Sequence, residues 1–245
     1  MRGSREMKMN RMASAHHASV VGCIALCFFC VGVLAAPPAG LAAEAKKDNI
    51  LFKVAFGALI GTETGMRLEP VRNSTILKSG DKFKMMLEME KKCYLYVIYK
   101  NSQGEMSLLF PYDIEQFETN YQTSRKYFLP PREAWYELDS RTGSETFYVI
   151  ASSQRLRDVE YLFTRYDSAE PSRKRGIALQ VLSALDRIRA ENRDYTIVAE
   201  APLTSDTTTR GVERSQGADP TDISSLATQV RASDFYSKTY VIEHR

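Results

Sequence analysis

The chain has 245 residues, of which 44% are hydrophobic and 26% are charged, the proportions of a globular protein with one principal domain. Its 33 basic and 30 acidic residues give a formal net charge of only +3, which argues against a nucleic-acid-binding domain. The three histidines and four cysteines leave few residues for a metal centre or a disulfide framework.

The N-terminal 43 residues have the pattern of a secretory signal peptide. Four basic side chains precede an uncharged apolar run at residues 20–36, and small residues follow, which predicts cleavage after Ala43 or Ala45. An uncleaved N-terminal membrane anchor is the alternative, because a run of 17 apolar residues is at the lower limit for a spanning helix. We therefore expect a periplasmic or secreted protein.

Cleavage at this point changes the composition that matters for function. Removing residues 1–43 takes away four basic residues and one acidic residue, so that 29 of each remain. His244 is then the single histidine and Cys93 the single cysteine of the remaining chain, which excludes an internal disulfide and the common zinc ligand sets. A Ser-His-Asp triad would depend on His244, and no Gly-x-Ser-x-Gly motif is present. We predict no metal and no cofactor, and we expect Cys93 to be a buried, inert thiol.

The first predicted element after a short polar leader is a strand from Leu51 to Phe56, rich in β-branched and aromatic residues. Gly57 follows it and predicts a bulge or a bend. A turn at residues 62–65 leads to a short strand at residues 66–71. This strand is expected at a sheet edge, because Pro70 cannot donate a hydrogen bond to a neighbour.

Residues 79–111 predict three consecutive strands joined by short turns, that is, an antiparallel meander. The first strand alternates with period two and is interrupted only by Met86. The second strand, residues 93–99, is apolar on both faces, which predicts a position in the middle of its sheet. The inward face of the first strand is predicted to carry Phe83, Met85, Leu87 and Met89. Copper(I) binding by Met85, Met86 and Met89 is the alternative to core packing.

Motifs in and after this stretch carry a resemblance to a known family. They are Gly-Asp-x-Phe at 80–83, Tyr-x-Tyr-Val at 94–97, Ser-x-Gly at 102–104, Leu-Phe-Pro at 109–111, a Pro-containing segment at 128–131 and Gly-x-Glu at 143–145. In this order they resemble the uncharacterised bacterial family called domain of unknown function 4384 (DUF4384), over roughly residues 75–165. The resemblance implies a β-rich accessory domain, found in secreted proteins or attached to other modules, and it implies no catalytic residues.

The segment between the predicted meander and the next strand holds the candidate site residues. Residues 112–126 predict a loop with one helical turn, and a short strand is predicted to end at Asp139. Flat aromatic rings stack on sugars and peptides, so the aromatic side chains here form a candidate ligand platform, with packing in the core or loop as the alternative. The candidate ligand-binding residues are Tyr121, Tyr127, Trp135 and Tyr136.

Acidic residues cluster in sequence around the same tryptophan. A facing pair of carboxylates would suit glycoside hydrolysis. The alternative is that these carboxylates are solvated charges on a loop, without a catalytic role. An enzyme of this kind requires Glu133 or Glu145 to line a cleft. The acidic residues in question are Glu133, Glu137, Asp139 and Glu145.

The second half of the chain predicts two amphipathic helices, residues 154–166 and 172–191, after a strand at 146–151. The basic residues 173–175 suggest either an anion site or a solvated face. A further strand at 195–201 is predicted to precede a flexible insertion at 202–221. Residues 234–244 regain period two and predict a C-terminal strand that pairs with the sheet.

The sequence therefore predicts a mainly β fold: an antiparallel β-sandwich with two amphipathic helices in its C-terminal half and a closing C-terminal strand. The predicted organisation is a signal peptide at 1–43, a sandwich domain with the helical pair at 48–201, the insertion at 202–221 and the completing strand at 234–244. We expect a non-catalytic binding or accessory module of the bacterial cell envelope with a protein, peptide or glycan partner. A carboxylate-dependent envelope hydrolase and a membrane-tethered structural subunit are the alternatives.

Overall fold

The computed structural model describes residues 49–63, 65–193, 198–203 and 221–245. The predicted signal peptide, and all but the ends of the predicted insertion, lie outside the described residues. Within the described ranges, no helix combines the length and the apolar character needed to span a membrane.

The described strands form two β-sheets. The first sheet contains β1 Ile50–Thr62, β2 Gly65–Pro70, β4 Lys82–Met89, β7 Lys126–Leu129, β8 Tyr136–Glu137, β10 Val198–Pro202 and β11 Thr228–Ala232. Its order is β10-β11-β1-β4-β7, with β2 also paired to β1 and β8 also paired to β4. The second sheet contains β3 Thr75–Leu77, β5 Tyr94–Lys100, β6 Met106–Phe110, β9 Gly143–Ser152 and β12 Phe235–His244, in the order β3-β12-β9-β5-β6.

The two sheets pack face to face around one apolar core. Phe56 of β1 makes edge-to-face contacts with Phe147 of β9, at 5.1 Å, and with Tyr240 of β12, at 5.3 Å. Every described strand pair is antiparallel except β3 with β12, which is parallel. The mainly β sandwich predicted from the sequence is confirmed, with a mixed second sheet.

Strand β4 explains the break in its own sequence pattern. Its alternate residues Phe83, Met85, Leu87 and Met89 all lie in the core between the sheets. Met86 points to the opposite face and is nevertheless 1% exposed, because the 3₁₀ helix Ile223–Leu226 covers that face. A helical segment far away in the sequence therefore buries Met86, the apolar side chain that interrupts the alternation.

The predicted meander is wrong in one respect. Strand β4 belongs to the first sheet, whereas β5 and β6 belong to the second and form a hairpin there. Both sides of β4 are occupied, by β1 on one side and by β7 and β8 on the other, so β5 cannot pair with it. The short connection at residues 90–93 crosses between the sheets, and its Glu90 and Lys91 N–H groups both donate to the carbonyl of Leu51.

Strand β1 is longer than the sequence predicts, because it continues through Gly57 to Thr62. Gly57 is neither a bend nor a bulge, since it pairs with Lys84 of β4 and with Pro70 of β2. A side chain at this position would crowd Leu68, Ile223 and Leu226, with the nearest atoms 3.0 Å from its Cβ. Glycine is needed here for close packing and not for a turn.

In the described part of the chain, three α-helices accompany the sheets: α1 Gln116–Thr119, α2 Arg157–Asp167 and α3 Pro171–Asn192. Helices α2 and α3 cover the outer face of the second sheet, where their apolar side chains pack on Tyr96 and Ile98 of β5. Strand β5 lies between β9 and β6 and is buried on both faces, as its sequence predicts. The two predicted amphipathic helices are confirmed to within a few residues at each end.

A buried ion pair attaches α2 to the second sheet. The Glu160 carboxylate, 4% exposed, accepts hydrogen bonds from the Tyr96 hydroxyl at 2.7 Å and from two nitrogens of Arg155, at 2.6 and 2.9 Å. The Tyr96 oxygen in turn accepts from the backbone N–H of Leu156, just before α2 begins. The predicted C-terminal strand is also confirmed: β12 pairs with β9 along its whole length and lies between β9 and β3.

Candidate functional site

A cleft opens at one end of the sandwich, with a volume of about 340 Å³. Its rim is formed by the β5–β6 turn on one side and by the connection from β8 to β9 on the other. We call it the aromatic cleft. Its lining residues are Phe83, Tyr99, Asn101, Ser102, Gln103, Ser107, Leu109, Tyr136, Glu137, Leu138, Asp139, Arg141, Glu145, Phe147 and His244.

Four aromatic rings form a continuous wall in this cleft. Each sheet supplies one cross-strand pair: Phe83 lies opposite Tyr136, with ring centres 5.2 Å apart, and Tyr99 lies opposite Phe147, with ring centres 5.0 Å apart. Phe83 also contacts Phe147 across the sandwich at 5.4 Å, which joins the two pairs. The register of four separate strands therefore brings these rings together.

Glu145 is the buried acidic group of the cleft. It is 5% exposed and its Oε2 accepts a hydrogen bond of 2.5 Å from the Tyr99 hydroxyl. None of the cationic side chains in the described part of the chain forms an ion pair with it. Burial raises the pKa of Tyr99, and the hydrogen bond to Glu145 raises it further, so this hydroxyl keeps its proton and remains a donor.

The Gly-x-Glu motif has a geometric reason. Gly143 has a φ of +142°, and a Cβ at this position would overlap the side chain of Ser102 in the β5–β6 turn. Glycine therefore allows that turn to pack against the start of β9. Two residues later on the same strand, Glu145 reaches the floor of the cleft. The motif both shapes the rim and supplies the buried carboxylate.

The turn before β4 is held by Asp81, which is 8% exposed. Its carboxylate accepts hydrogen bonds from the backbone N–H groups of Lys78, at 2.8 Å, and Gly61, at 3.1 Å. Its backbone carbonyl accepts from the N–H of Leu138. These contacts fix the start of β4, and therefore Phe83, against the β8 side of the cleft.

His244 closes the cleft from the end of β12 and is 3% exposed. Its Nε2 lies 3.0 Å from the Ser79 hydroxyl, which forms a serine–histidine contact. Among the described residues, no carboxylate hydrogen-bonds to this imidazole, and Ser79 does not line the cleft. The described side chains also include no group of three or more His, Cys, Asp or Glu residues placed to hold a metal ion.

The four aromatic residues predicted to form a ligand platform are not brought together. Tyr121 and Tyr127 stack on each other at 6.1 Å inside a cluster around Phe110, away from the cleft. Backbone groups bond both hydroxyls: the Leu95 N–H donates to Tyr121, and the Gln122 N–H donates to Tyr127. Both side chains pack against the core in this cluster, and burial raises the pKa of Tyr121.

Trp135 and Tyr136, although adjacent, lie on opposite faces of the first sheet. Tyr136 lines the cleft, whereas Trp135 packs outside with Phe128. Between those two outer rings lies Lys84, which is 5% exposed and donates a 2.6 Å hydrogen bond to the carbonyl of Arg132. Burial lowers the pKa of Lys84. Of the predicted platform, only Tyr136 lines the cleft, and a ligand-binding role stays a prediction for all four residues.

The acidic residues near Trp135 also separate. Glu133 is exposed, Glu137 and Asp139 lie on the exposed rim, and only Glu145 is buried in the cleft. Sequence reasoning missed Phe83, Tyr99 and Phe147 as cleft residues, because each looks like ordinary strand core.

Cys93 is buried, as predicted, and desolvation raises the pKa of its thiol from 9.0 to about 12. A thiol with so high a pKa is a poor nucleophile near neutral pH.

The model of the family described as domain of unknown function (DUF4384) matches residues 76–155. The match includes all strands from β4 to β9 and confirms the resemblance for this segment. No curated protein and no solved structure matches the chain.

Proposed function

We propose that this chain, whose residues 76–155 carry a DUF4384 domain, is an exported, non-catalytic module that binds a small ligand or a short part of a partner in the aromatic cleft. One observation carries the proposal: four of the six motifs that carry the family resemblance each contribute a residue to the lining of this cleft. Phe83, Ser102, Leu109 and Glu145 line it, and Gly143 permits the approach of its rim.

The competing explanation is that these motif residues only build the fold. Phe83 and Leu109 fit that explanation, because apolar side chains pack wherever two sheets meet. Glu145 does not fit it equally well, since burying a carboxylate without a cationic partner opposes folding. A binding role gives a reason for its position that folding alone does not supply.

Export to the cell envelope is part of the proposal and is supported by the N-terminal sequence pattern. N-terminal sequencing of the protein isolated from its native source tests it. A mature terminus immediately after Ala43 or Ala45 is the expected result. An intact N-terminus in the membrane fraction would instead favour the membrane-tethered subunit.

Ligand binding can be tested by leucine-methyl NMR on the purified protein, because Leu109 and Leu138 both line the cleft. Leu179 on α3 is 62% exposed, lies outside the cleft and serves as the internal control. A panel of glycan fragments, dipeptides and alkylammonium ions is expected to contain compounds that shift the two cleft leucines and leave Leu179 unchanged. A panel that moves neither cleft leucine would overturn the proposal.

A second candidate function, a carboxylate-dependent hydrolase, is favoured by one observation: Glu145 is buried in the cleft and Asp139 lies at its rim. Two carboxylates facing one substrate are the usual requirement for glycoside hydrolysis. Glu145→Gln is the decisive variant. If the wild-type protein releases product from glycan fragments and this variant does not, the hydrolase replaces the binding module. Binding without turnover in both proteins supports the module.

A further inference from the structure

We infer that the aromatic cleft receives an organic cation, an ammonium group that carries alkyl substituents. The inference rests on the proposed function and names the class of ligand for the same site. Three features of the cleft support it independently: a buried carboxylate that pairs with no cation in the described part of the chain, an aromatic wall, and an acidic rim.

The first feature is the buried carboxylate at the floor of the cleft. Glu145 is 5% exposed, and among the residues that the structure describes, its side chain accepts a hydrogen bond only from the neutral hydroxyl of Tyr99. By contrast, the comparably buried Glu160 is paired with the guanidinium of Arg155 at 2.6 Å. A buried carboxylate is normally compensated by a cation. In the cleft, the ligand would supply that positive charge.

The second feature is the ring wall, which begins beside Glu145. The Tyr99 hydroxyl donates a hydrogen bond to the carboxylate. The Tyr99 ring contacts Phe147, which contacts Phe83, which in turn contacts Tyr136. Aromatic faces attract ammonium groups electrostatically, and they also contact the alkyl substituents of such groups. A neutral sugar would use the rings, but it would leave the carboxylate without a counter-charge. An anionic ligand would be repelled by Glu145.

The third feature is the rim. Glu137 and Asp139 line it, and Arg141 is the one cationic residue among the lining side chains. The Arg141 side chain is 71% exposed and lies 3.9 Å from Asp139, so its charge is directed to a rim carboxylate and to solvent. Lys82, beside the rim, pairs with Glu137 at 3.3 Å. Three carboxylates, those of Glu137, Asp139 and Glu145, therefore face two cationic side chains, and the remaining negative charge favours a cation.

The size of the cleft restricts the ligand. Its 340 Å³ is at the lower end of the range of roughly 300–1,000 Å³ for small-molecule sites. A single ammonium head group with short substituents fits this volume. Such a group occurs both in small free amines and at the end of a lysine side chain on a partner protein, and the two sources share the chemistry that the cleft recognises.

The test uses two probes of nearly identical shape: choline, and its uncharged analogue in which a carbon atom replaces the quaternary nitrogen. Each is titrated into the purified protein while the methyl signals of Leu109 and Leu138 are recorded, with Leu179 as the control. Choline is expected to bind at least about tenfold more tightly, the ratio expected for a desolvated cation on aromatic rings. Equal affinities would overturn the inference.

Variants separate the contributions of charge and rings. Glu145→Gln is expected to reduce choline affinity by about tenfold or more while leaving the uncharged analogue unaffected. Tyr136→Leu, at a half-exposed position, removes a ring without touching the carboxylate and is expected to weaken choline binding more than analogue binding. Glu243→Gln on β12 is the matched control, because Glu243 is outside the cleft and bonds Ser144. It should bind both probes as the wild type does.

The outcomes also distinguish this inference from the proposed function. If a glycan fragment or a neutral dipeptide shifts the cleft leucines and no cation does, the cation inference fails and the binding module stands. If no compound shifts them, both fail. A blocked lysine derivative tested beside choline identifies the source: tighter binding of the lysine derivative indicates a protein partner, and tighter binding of choline indicates a free amine.

Discussion

Replacing Glu160 by alanine should strongly destabilise the protein. The change removes the acceptor of three hydrogen bonds, one from Tyr96 and two from Arg155. The Arg155 side chain is only 9% exposed and would retain a single acidic partner, the exposed Glu118. Breaking a buried ion pair by removing one partner costs about 3–5 kcal/mol, because the remaining charge stays desolvated. In a domain of this size, that loss lowers Tm by about 6–20 °C.

Milder variants separate the contribution of the Glu160 charge from that of the Tyr96 hydroxyl. Glu160→Gln keeps the shape and an acceptor for Tyr96 but removes the charge, and it should cost about 1.5–3 kcal/mol. Tyr96→Phe removes the hydroxyl that also accepts from the Leu156 N–H, and it should cost about 1–3 kcal/mol. The double variant is expected to lose less than the sum of the two, since both act on one hydrogen bond.

Urea unfolding followed by circular dichroism measures these changes, provided that the dependence on denaturant is unchanged between variants. Asp158→Ala is the control on the same helix. Asp158 pairs with Arg187 at 3.0 Å, but both side chains are more than half exposed, so its loss should cost only about 0.2–1 kcal/mol. If Glu160→Ala costs no more than Asp158→Ala, the reasoning about the buried pair is refuted.

Three further predictions concern single sites. Because burial raises the Cys93 pKa from 9.0 to about 12, the unfolding free energy of the wild type relative to Cys93→Ala should fall as pH rises between those values. The native thiol should also resist iodoacetamide at about pH 8 until the chain is denatured. Alkylation of the native protein would contradict this prediction. Burial lowers the pKa of Lys84 in the folded protein, so the unfolded chain binds more protons just below pH 10.5. The stability of the wild type relative to Lys84→Met should therefore increase as pH is raised towards 10.5. A difference in urea midpoints that stays flat or falls would count against this prediction. Gly143→Ala should lower the unfolding free energy by at least about 1 kcal/mol, because Gly143 has a positive φ and a Cβ there would overlap Ser102. Adding Ser102→Gly should recover part of this loss in thermal melts. Full stability of the single variant would exclude the close approach of the two residues.

Periodicity was sufficient to predict most of the elements. The alternation in β4, the doubly apolar β5 and the helical spacing in α2 and α3 each reflect a local burial pattern that the sequence records. It was not sufficient to predict the partners of the strands. Period two identifies which face of β4 is buried, but it does not say whether β5 pairs beside β4 or crosses to the other sheet.

The cleft was less predictable than the fold, for a related reason. Phe83, Tyr99, Tyr136 and Phe147 meet only because four strands pair in a particular register, and no local pattern sets them apart from core residues. Trp135 and Tyr136 show the limit of grouping residues by sequence position. Tyr136 begins β8 and lines the cleft, whereas Trp135 precedes this strand and packs with Phe128 on the outer side. Glu145 was identified as an acidic candidate, but its burial depends on Tyr99 and on the approach of the β5–β6 turn.

The placement of β12 bears on how the protein reaches its native state. Phe235 pairs with Ser152 and His244 with Gly143, partners that lie 83 and 101 positions apart in the chain. Until β12 is synthesised, β9 presents an unpaired edge, and β3 has no described neighbour in its sheet. Contacts of such long range slow folding, because a large loop must close before they form. Nascent chains that stop short of residue 235 would therefore expose a template for aggregation, and a holdase chaperone that covers the β9 edge should raise the yield of native protein.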